Sequence, residues 1–174
     1  MWTPDKSKLV KICLHSCRAD VETPWAEDLG VSGTPPVRRV RIGNVPFLHA
    51  KPTYGDVLIV EHDSKYGRLT WDAAGVPHEQ IGARIAEDGG RWAMILDYTL
   101  VAPATDAPTA FKALDKAGDE ADIAVEGCYA PKALKAGRAY LAVPCAMTPD
   151  DVLRIFQARG LPLTLTLVHP VATT

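Results

Sequence analysis

Three short stretches decide the fold of the first half of this chain: Glu22-Thr-Pro-Trp-Ala-Glu27, Arg41-Ile-Gly-Asn-Val-Pro-Phe47 and Tyr54-Gly-Asp-Val57. The second and third contain turn residues, because Asn and Gly tolerate a positive φ while Pro fixes its own φ and makes the preceding residue extended. Apolar runs at residues 37–42 and 57–60 flank these turns and predict strands. The stretches therefore predict a small β structure in which turns connect short strands.

Alternating apolar residues extend this prediction on both sides. Strands are predicted at residues 8–17 and 68–71, and residues 30–36, which are rich in Gly, Pro, Ser and Thr, are predicted to form a loop. Four or five short strands with long connections indicate a small antiparallel barrel or curled sheet over residues 1–72. Residues 73–90 are expected to be a linker with a short helix inside it.

The second half, residues 91–174, shows clearer periodicities. Helices are predicted at residues 109–117, with Gly118 as the stop signal, and after Thr148, an N-cap residue followed by Pro149. Alternating segments predict strands at residues 92–101, 123–129, 138–143 and 161–167. The order β-α-β-β-α-β is typical of a ferredoxin-like sheet with two helices on one face, and a proline favours an edge position for the last strand. The predicted fold class is α+β, an antiparallel barrel-like half followed by a ferredoxin-like half.

The three stretches quoted above resemble the bacterial domain-of-unknown-function family numbered 4265, whose pattern is W-A-E, then N-[IV]-P-F, then Y-G-D-V. The resemblance covers residues 20–170, and its specific motifs lie in the first third. It implies the same arrangement of the second half. It also makes the chain a candidate for the small bacterial proteins that neutralise a toxin, but it assigns no residue to that role.

Composition and charge exclude several classes of function. The chain has 174 residues, of which 19 are basic and 21 acidic, and a formal net charge of −2. Neither half is basic, which argues against a protein that follows nucleic-acid phosphates. No window approaches the roughly 18 apolar residues of a membrane span. The first residues lack the apolar run of a signal peptide, so a cytoplasmic protein with reduced cysteines is expected.

The sequence contains no motif that assigns catalysis, a metal or a cofactor. Cys13-Leu-His-Ser-Cys17 is the best candidate for a metal site, but neighbouring same-face positions on a strand are about 6.6 Å apart, too far for three ligands of one ion. The other histidines, His49 among them, form no paired motif and are predicted at the surface or in loops. Cys145 is the thiol to test for reactivity, because it precedes a predicted helix N-terminus.

Two groups of residues are candidates for binding. Trp25 and Glu27 form a ligand-facing pair in one interpretation; in the other, Trp25 fills the barrel while Glu27 binds a loop amide. Acidic residues predominate over residues 105–126, which form either a solvated face or a docking surface for a basic partner. The candidate partner-binding residues are Asp115, Asp119, Glu120, Asp122 and Glu126.

The sequence therefore favours binding over catalysis. The leading hypothesis is a non-enzymatic bacterial cytoplasmic protein, an immunity-type inhibitor that neutralises a cognate toxin by binding directly to its enzyme domain, which is expected to be basic. The alternative is a small-molecule or regulatory ligand-binding protein with a site between the two halves. Neither hypothesis involves a cofactor, nucleic acid or a membrane, and an enzyme is the third choice.

Overall fold

The computed structural model of this chain describes residues 2–15, 21–64, 67–76, 78–101, 107–129, 136–160 and 163–170. By their contacts, these residues fall into two compact units, one ending at Arg91 and the other beginning at Trp92. The described part of the first unit contains the strands β1 (Leu9–His15), β2 (Trp25–Ser32), β3 (Val37–Ile42), β4 (Val57–Asp63) and β5 (Arg68–Asp72).

The five strands form a closed barrel in which each strand pairs antiparallel with the next. β5 closes the barrel on β1, with Ile12 opposite Leu69 and Leu14 opposite Trp71. This closing pair is parallel, so the prediction of a purely antiparallel barrel was wrong here. Successive antiparallel strands alternate in direction, and the first and last of five must therefore point the same way.

Alternation along the strands fills the barrel with apolar side chains. In β3, Val40 and Ile42 are fully buried, whereas Arg41 between them is half-buried on the outside. Trp71 of β5 contributes the largest side chain of the interior. The barrel interior consists of Ile12, Leu14, Ala26, Val40, Ile42, Leu58, Val60 and Trp71.

Residues 73–90, which were expected to be a linker, pack on the barrel. Ala73 and Ile81 are buried in the same apolar cluster as the barrel interior, and Ile81 lies in a 3-10 helix, His78–Arg84. Glu87 forms an isolated β-bridge with Val57 of β4. This segment therefore belongs to the barrel unit.

The prediction of a loop at residues 30–36 was wrong for its first part, because β2 continues to Ser32. The register between β2 and β3 shifts between Asp28 and Gly30, where Gly30 has a φ of 81° and donates its N–H to Asp28 Oδ1 at 2.9 Å. A positive φ costs glycine little, which suits it to a bulge as well as to a turn. Gly30 therefore bends a strand and does not end it.

The described part of the second unit contains β6 (Arg91–Leu100), α1 (Ala107–Glu120), β7 (Ala124–Tyr129), β8 (Ala136–Pro144), α2 (Pro149–Ala158) and β9 (Leu163–Pro170). The four strands form one sheet in the order β7-β8-β6-β9, and β9 pairs antiparallel with β6. The predicted edge position of the last strand, beside β6, is confirmed. The chain thus has an α+β fold, mostly of strands, and the prediction of this fold class is confirmed at that level.

α1 extends beyond its predicted end at residue 117 and includes Gly118. A Cβ atom on Gly118 would clash with Val125 Cγ2 of β7. The glycine therefore allows α1 to approach β7 closely, and it does not act as the predicted stop signal. The buried side of α1 is formed by Ala107, Ala110, Leu114, Ala117 and Gly118.

α2 begins at its predicted cap. The Asp151 N–H donates to Thr148 Oγ1 at 3.2 Å, and the Thr148 N–H donates to Asp151 Oδ2 at 3.0 Å, a reciprocal capping box. Pro149 occupies the first turn, where its missing N–H costs nothing. Val152 and Phe156 are fully buried and pack with the core of the sheet. Among the described residues, no helix combines the length and the hydrophobicity that crossing a bilayer requires.

Candidate binding surfaces

The acidic residues predicted to bind a partner lie on α1, in the turn after it and on β7. Asp115 and Asp119 are exposed on α1 and, four residues apart, share one face of the helix. Glu126 is half-buried on the edge strand β7. Its neighbour Val125 faces α1, so alternation directs Glu126 towards the opposite face of the sheet. The acidic residues therefore surround the edge of the sheet and do not share one flat face.

Asp115 interacts unfavourably with the charges of Asp119 and Glu126, and we call these three residues the acidic triad. Burial raises the pKa of Asp115, and the charge of Asp119 raises it further. Burial also raises the pKa of Glu126, and the charge of Asp115 adds to this effect. Lys112 and Lys116 are exposed on α1, but neither forms an ion pair with any residue that the structure describes. The charge of the triad is therefore not paired within the described ranges.

The other two predicted partner-binding residues have structural roles. Glu120, at the end of α1, forms an ion pair with Arg159, which caps the C-terminus of α2. Asp122 lies in the turn between α1 and β7 with a φ of 59°, a conformation that Asp tolerates better than most residues. Its N–H donates to the Asp119 carbonyl at 3.2 Å. Glu120 and Asp122 therefore both have contacts within the fold, an ion pair and a turn.

Trp25 and Glu27 both point outward from β2, because Ala26 between them is fully buried in the barrel. Trp25 is 45% exposed, and Lys11 Nζ lies 5.0 Å from the centroid of its ring, a distance typical of a cation–π contact. The interpretation in which Trp25 fills the barrel was therefore wrong. Glu27 is buried but makes no hydrogen bond to a loop amide in the part of the chain that the structure describes.

Glu22, which the sequence did not single out, has the role considered for Glu27. Its carboxylate accepts hydrogen bonds from the N–H groups of Phe47 at 2.6 Å and Leu48 at 2.9 Å, and it lies 3.1 Å from His49 Nδ1. Burial raises the pKa of Glu22, but His49 and the two amides outweigh it, so that the pKa falls below its ordinary value. His49 is buried, contrary to its predicted surface position.

A second contact joins the same two motifs. The Trp25 N–H donates to Asn44 Oδ1 at 2.8 Å, and the Gly43 N–H donates to the Trp25 carbonyl at 2.8 Å. Together with Glu22, these contacts fix the connection after β3 against the start of β2. The spacing of the first two motifs is therefore explained by the architecture of the barrel.

Asp56, the acidic residue of the third motif, is fully buried and joins separate segments. Its carboxylate accepts hydrogen bonds from the N–H groups of Thr53 at 2.7 Å and Gly89 at 2.8 Å, and it lies 3.2 Å from Lys51 Nζ. Lys51 also forms an ion pair with Asp88 at 2.9 Å. Burial raises the pKa of Asp56, and Lys51 with the two amides offsets this only in part. The third motif is thus structural as well.

The structure describes the side chains of two of the four cysteines. Cys13 is buried in β1 and Cys145 is exposed after β8, and both are free thiols. Cys17 and the side chain of Cys128 lie outside the described residues. Within the described ranges, no group of three His, Cys, Asp or Glu side chains could hold a metal ion.

Comparison with known proteins adds no function to this geometry. No family model matches the chain, and no curated protein matches it. The chain is similar to a solved structure of a hypothetical protein from Neisseria gonorrhoeae, with 10% sequence identity, 92% of each chain covered and a TM-score of 0.44. The resemblance to family 4265 and the identity of a partner stay predictions.

Proposed function

We propose that this chain is a non-enzymatic cytoplasmic protein that binds a basic protein partner through the acidic triad. The observation that carries the proposal is the charge interaction of Asp115 with Asp119 and with Glu126, which adds to burial in raising the pKa values of Asp115 and Glu126, while no cation in the described ranges pairs with any of the three. Like charges held close together are unfavourable, and a Lys or Arg of a partner relieves the repulsion. Binding of a basic surface is therefore favoured over binding of an acidic one.

The partner class that we propose is a toxin enzyme, which makes this chain an immunity-type inhibitor. The support for this finer proposal is the resemblance to family 4265 and the match between an acidic surface and a basic enzyme cleft. Complementary charge speeds encounter and disfavours partners of the wrong sign. Such an inhibitor needs no catalytic residues of its own.

We also propose that the second unit is ferredoxin-like. The support is its order of elements, strand–helix–strand–strand–helix–strand, and its sheet order β7-β8-β6-β9. In this arrangement, β7 is an edge strand beside α1. α1 and β7 therefore offer a partner the carboxylates of the acidic triad. The outer side of β7 also offers backbone N–H and C=O groups, because no further strand pairs with it in the described sheet.

Co-expression with the product of the adjacent upstream gene tests the proposed function. We expect that protein to arrest growth when expressed alone and to be neutralised by this chain in a complex that co-purifies. Asp115→Lys/Asp119→Lys should abolish protection. The matched control Glu61→Lys/Asp72→Lys, which changes the net charge equally on the barrel unit, should protect as the wild type does. A harmless upstream product, or equal protection by both variants, contradicts the proposal.

A further inference from the structure

The barrel unit contains a cavity of about 710 Å³ on the outer side of the β4–β5 hairpin, beside the 3-10 helix. Its volume lies in the range of roughly 300–1,000 Å³ that is usual for small-molecule sites. Among the described residues, the ionisable groups that line it are three carboxylates, the guanidinium of Arg84 and the imidazole of His62; the carboxylates are those of Glu61, Asp63 and Asp72. The described lining of the cavity therefore has more carboxylates than cations, and it also includes the apolar side chain of Ile59.

One polar group of this cavity is buried without a partner. Thr70 is only 7% exposed, and its Oγ1 has no hydrogen-bond partner among the residues that the structure describes. A buried hydroxyl normally forms at least one hydrogen bond, because losing its contact with water is otherwise uncompensated. Thr70 lines the cavity, so a bound molecule there can supply the missing partner.

Two carboxylates flank this hydroxyl. Glu61 lies directly opposite Thr70 across the β4–β5 pair, where side chains are about 5 Å apart, and Asp72 follows two residues later on the same face. Glu61 forms no hydrogen bond or ion pair with any residue that the structure describes. Asp72 accepts one hydrogen bond, from the Ala74 N–H to Oδ1 at 2.7 Å. Three oxygen acceptors thus surround one point of the cavity wall.

We propose that this cavity binds a small aliphatic amine, with its ammonium group held by Glu61, Thr70 and Asp72. An ammonium has three N–H donors and no acceptor, which matches three acceptors arranged around one point. The methylene chain contacts Ile59, which is exposed on β4 two residues before Glu61. The excess of carboxylates in the lining favours a diamine over a monoamine. The described residues include no group of three His, Cys, Asp or Glu side chains that could hold a metal ion, so the site is assigned to an ammonium and not to a metal.

Calorimetric titration of the full chain with 1,4-diaminobutane tests this site. We expect saturable binding of the diamine and no binding of 1,4-butanediol, which has the same length and no charge. Thr70→Val preserves the shape of the side chain, and it should weaken binding about tenfold or more, as expected for loss of one hydrogen bond to a charged group. Because the hydroxyl has no partner within the described part of the free protein, Thr70→Val should not lower the thermal midpoint.

Further variants complete the test. Glu61→Gln should weaken binding of the diamine, while Glu120→Gln, on the other unit, should leave the affinity unchanged. Absence of saturable diamine binding, or equal binding of the diol, contradicts the proposed site. An unchanged affinity of Thr70→Val for the diamine, or a lower thermal midpoint of that variant, contradicts it as well. Binding of Ca²⁺ without binding of the diamine overturns it as well. The site is separate from the acidic triad, so these results do not decide the proposed function.

Discussion

At the level of single residues, the carboxylates of this chain have different roles that composition cannot distinguish. Glu22 accepts two backbone hydrogen bonds, Asp56 is fully buried beside Lys51, and Glu120 is paired with an arginine. Asp115 instead is partly buried beside Asp119, and both burial and the charge of Asp119 raise its pKa. The surroundings therefore decide whether a carboxylate stabilises the fold or remains available to a partner.

Replacing Glu22 by Gln tests its structural role. Gln retains one acceptor oxygen but has no charge, and its NH₂ group faces backbone donors. We expect the free energy of unfolding to fall by about 1.5–3 kcal/mol, as for hydrogen bonds to charged groups. Urea denaturation at neutral pH measures this, with Glu120→Gln, an exposed ion pair worth at most about 1 kcal/mol, as the control. A loss no larger than that of the control means that Glu22 does not anchor the Phe47–Leu48 segment.

The same carboxylate predicts a dependence of stability on pH. The pKa of Glu22 in the folded state is below its ordinary value of 4.5. The folded protein therefore binds this proton less readily than the unfolded chain, and the stabilisation is present above the unfolded pKa. It is lost as the pH falls through the folded pKa. We expect the difference in stability between wild type and Glu22→Gln to shrink on acidification, and a constant difference contradicts this.

At the level of elements, the sequence correctly predicted the helix boundary that depends only on neighbouring residues in the chain. α2 begins at Thr148 as expected, because the cap and Pro149 lie beside each other in the chain. The roles of Gly30 and Gly118 were wrong, because a bulge depends on the partner strand and close packing depends on Val125 of another element. The sequence alone does not show whether a glycine ends an element, forms a bulge or allows close packing.

Phe156→Ala tests the packing of α2. Phe156 is fully buried in the core of the second unit, and removing its ring leaves a cavity. We expect a loss of about 3–5 kcal/mol in the free energy of unfolding of this unit. Leu153→Ala, at a half-buried position of the same helix, should cost less. If Phe156→Ala costs no more than Leu153→Ala, the helix face assigned to the core is wrong.

Asp119→Asn tests the electrostatic coupling within the acidic triad. The charge of Asp119 raises the pKa of Asp115, so removing that charge should lower the Asp115 pKa, as measured by NMR titration of its carboxyl carbon. A carboxyl group whose pKa is higher in the folded state than in the unfolded chain stabilises the fold at pH values below the unfolded pKa. This stabilisation is lost as the pH rises through the folded-state pKa. In Asp119→Asn, the free energy of unfolding should therefore decrease less between acidic and neutral pH than it does in the wild type. Glu120→Gln serves as the control, and an Asp115 pKa insensitive to Asp119→Asn contradicts the coupling.

At the level of the whole molecule, long-range contacts determine what the sequence could not predict. Acidic composition located the region that contains the triad, but the ion pair of Glu120 joins residues 39 positions apart. The partners of Glu22 are 25 to 27 residues away, and the surroundings of Thr70 arise only when β1, β4 and β5 meet. Local patterns predicted the fold class, whereas the grouping of side chains into surfaces depended on how the strands and helices pack.

The most direct test of the central claim is the rate of association with the upstream gene product at about 50 mM and about 300 mM salt, where screening differs strongly. Asp115→Lys/Asp119→Lys should associate about tenfold or more slowly than wild type at low salt, and Glu61→Lys/Asp72→Lys should remain close to wild type. Added salt should slow the wild type more than the reversed triad. Equal association rates for the two variants would contradict binding through the acidic triad.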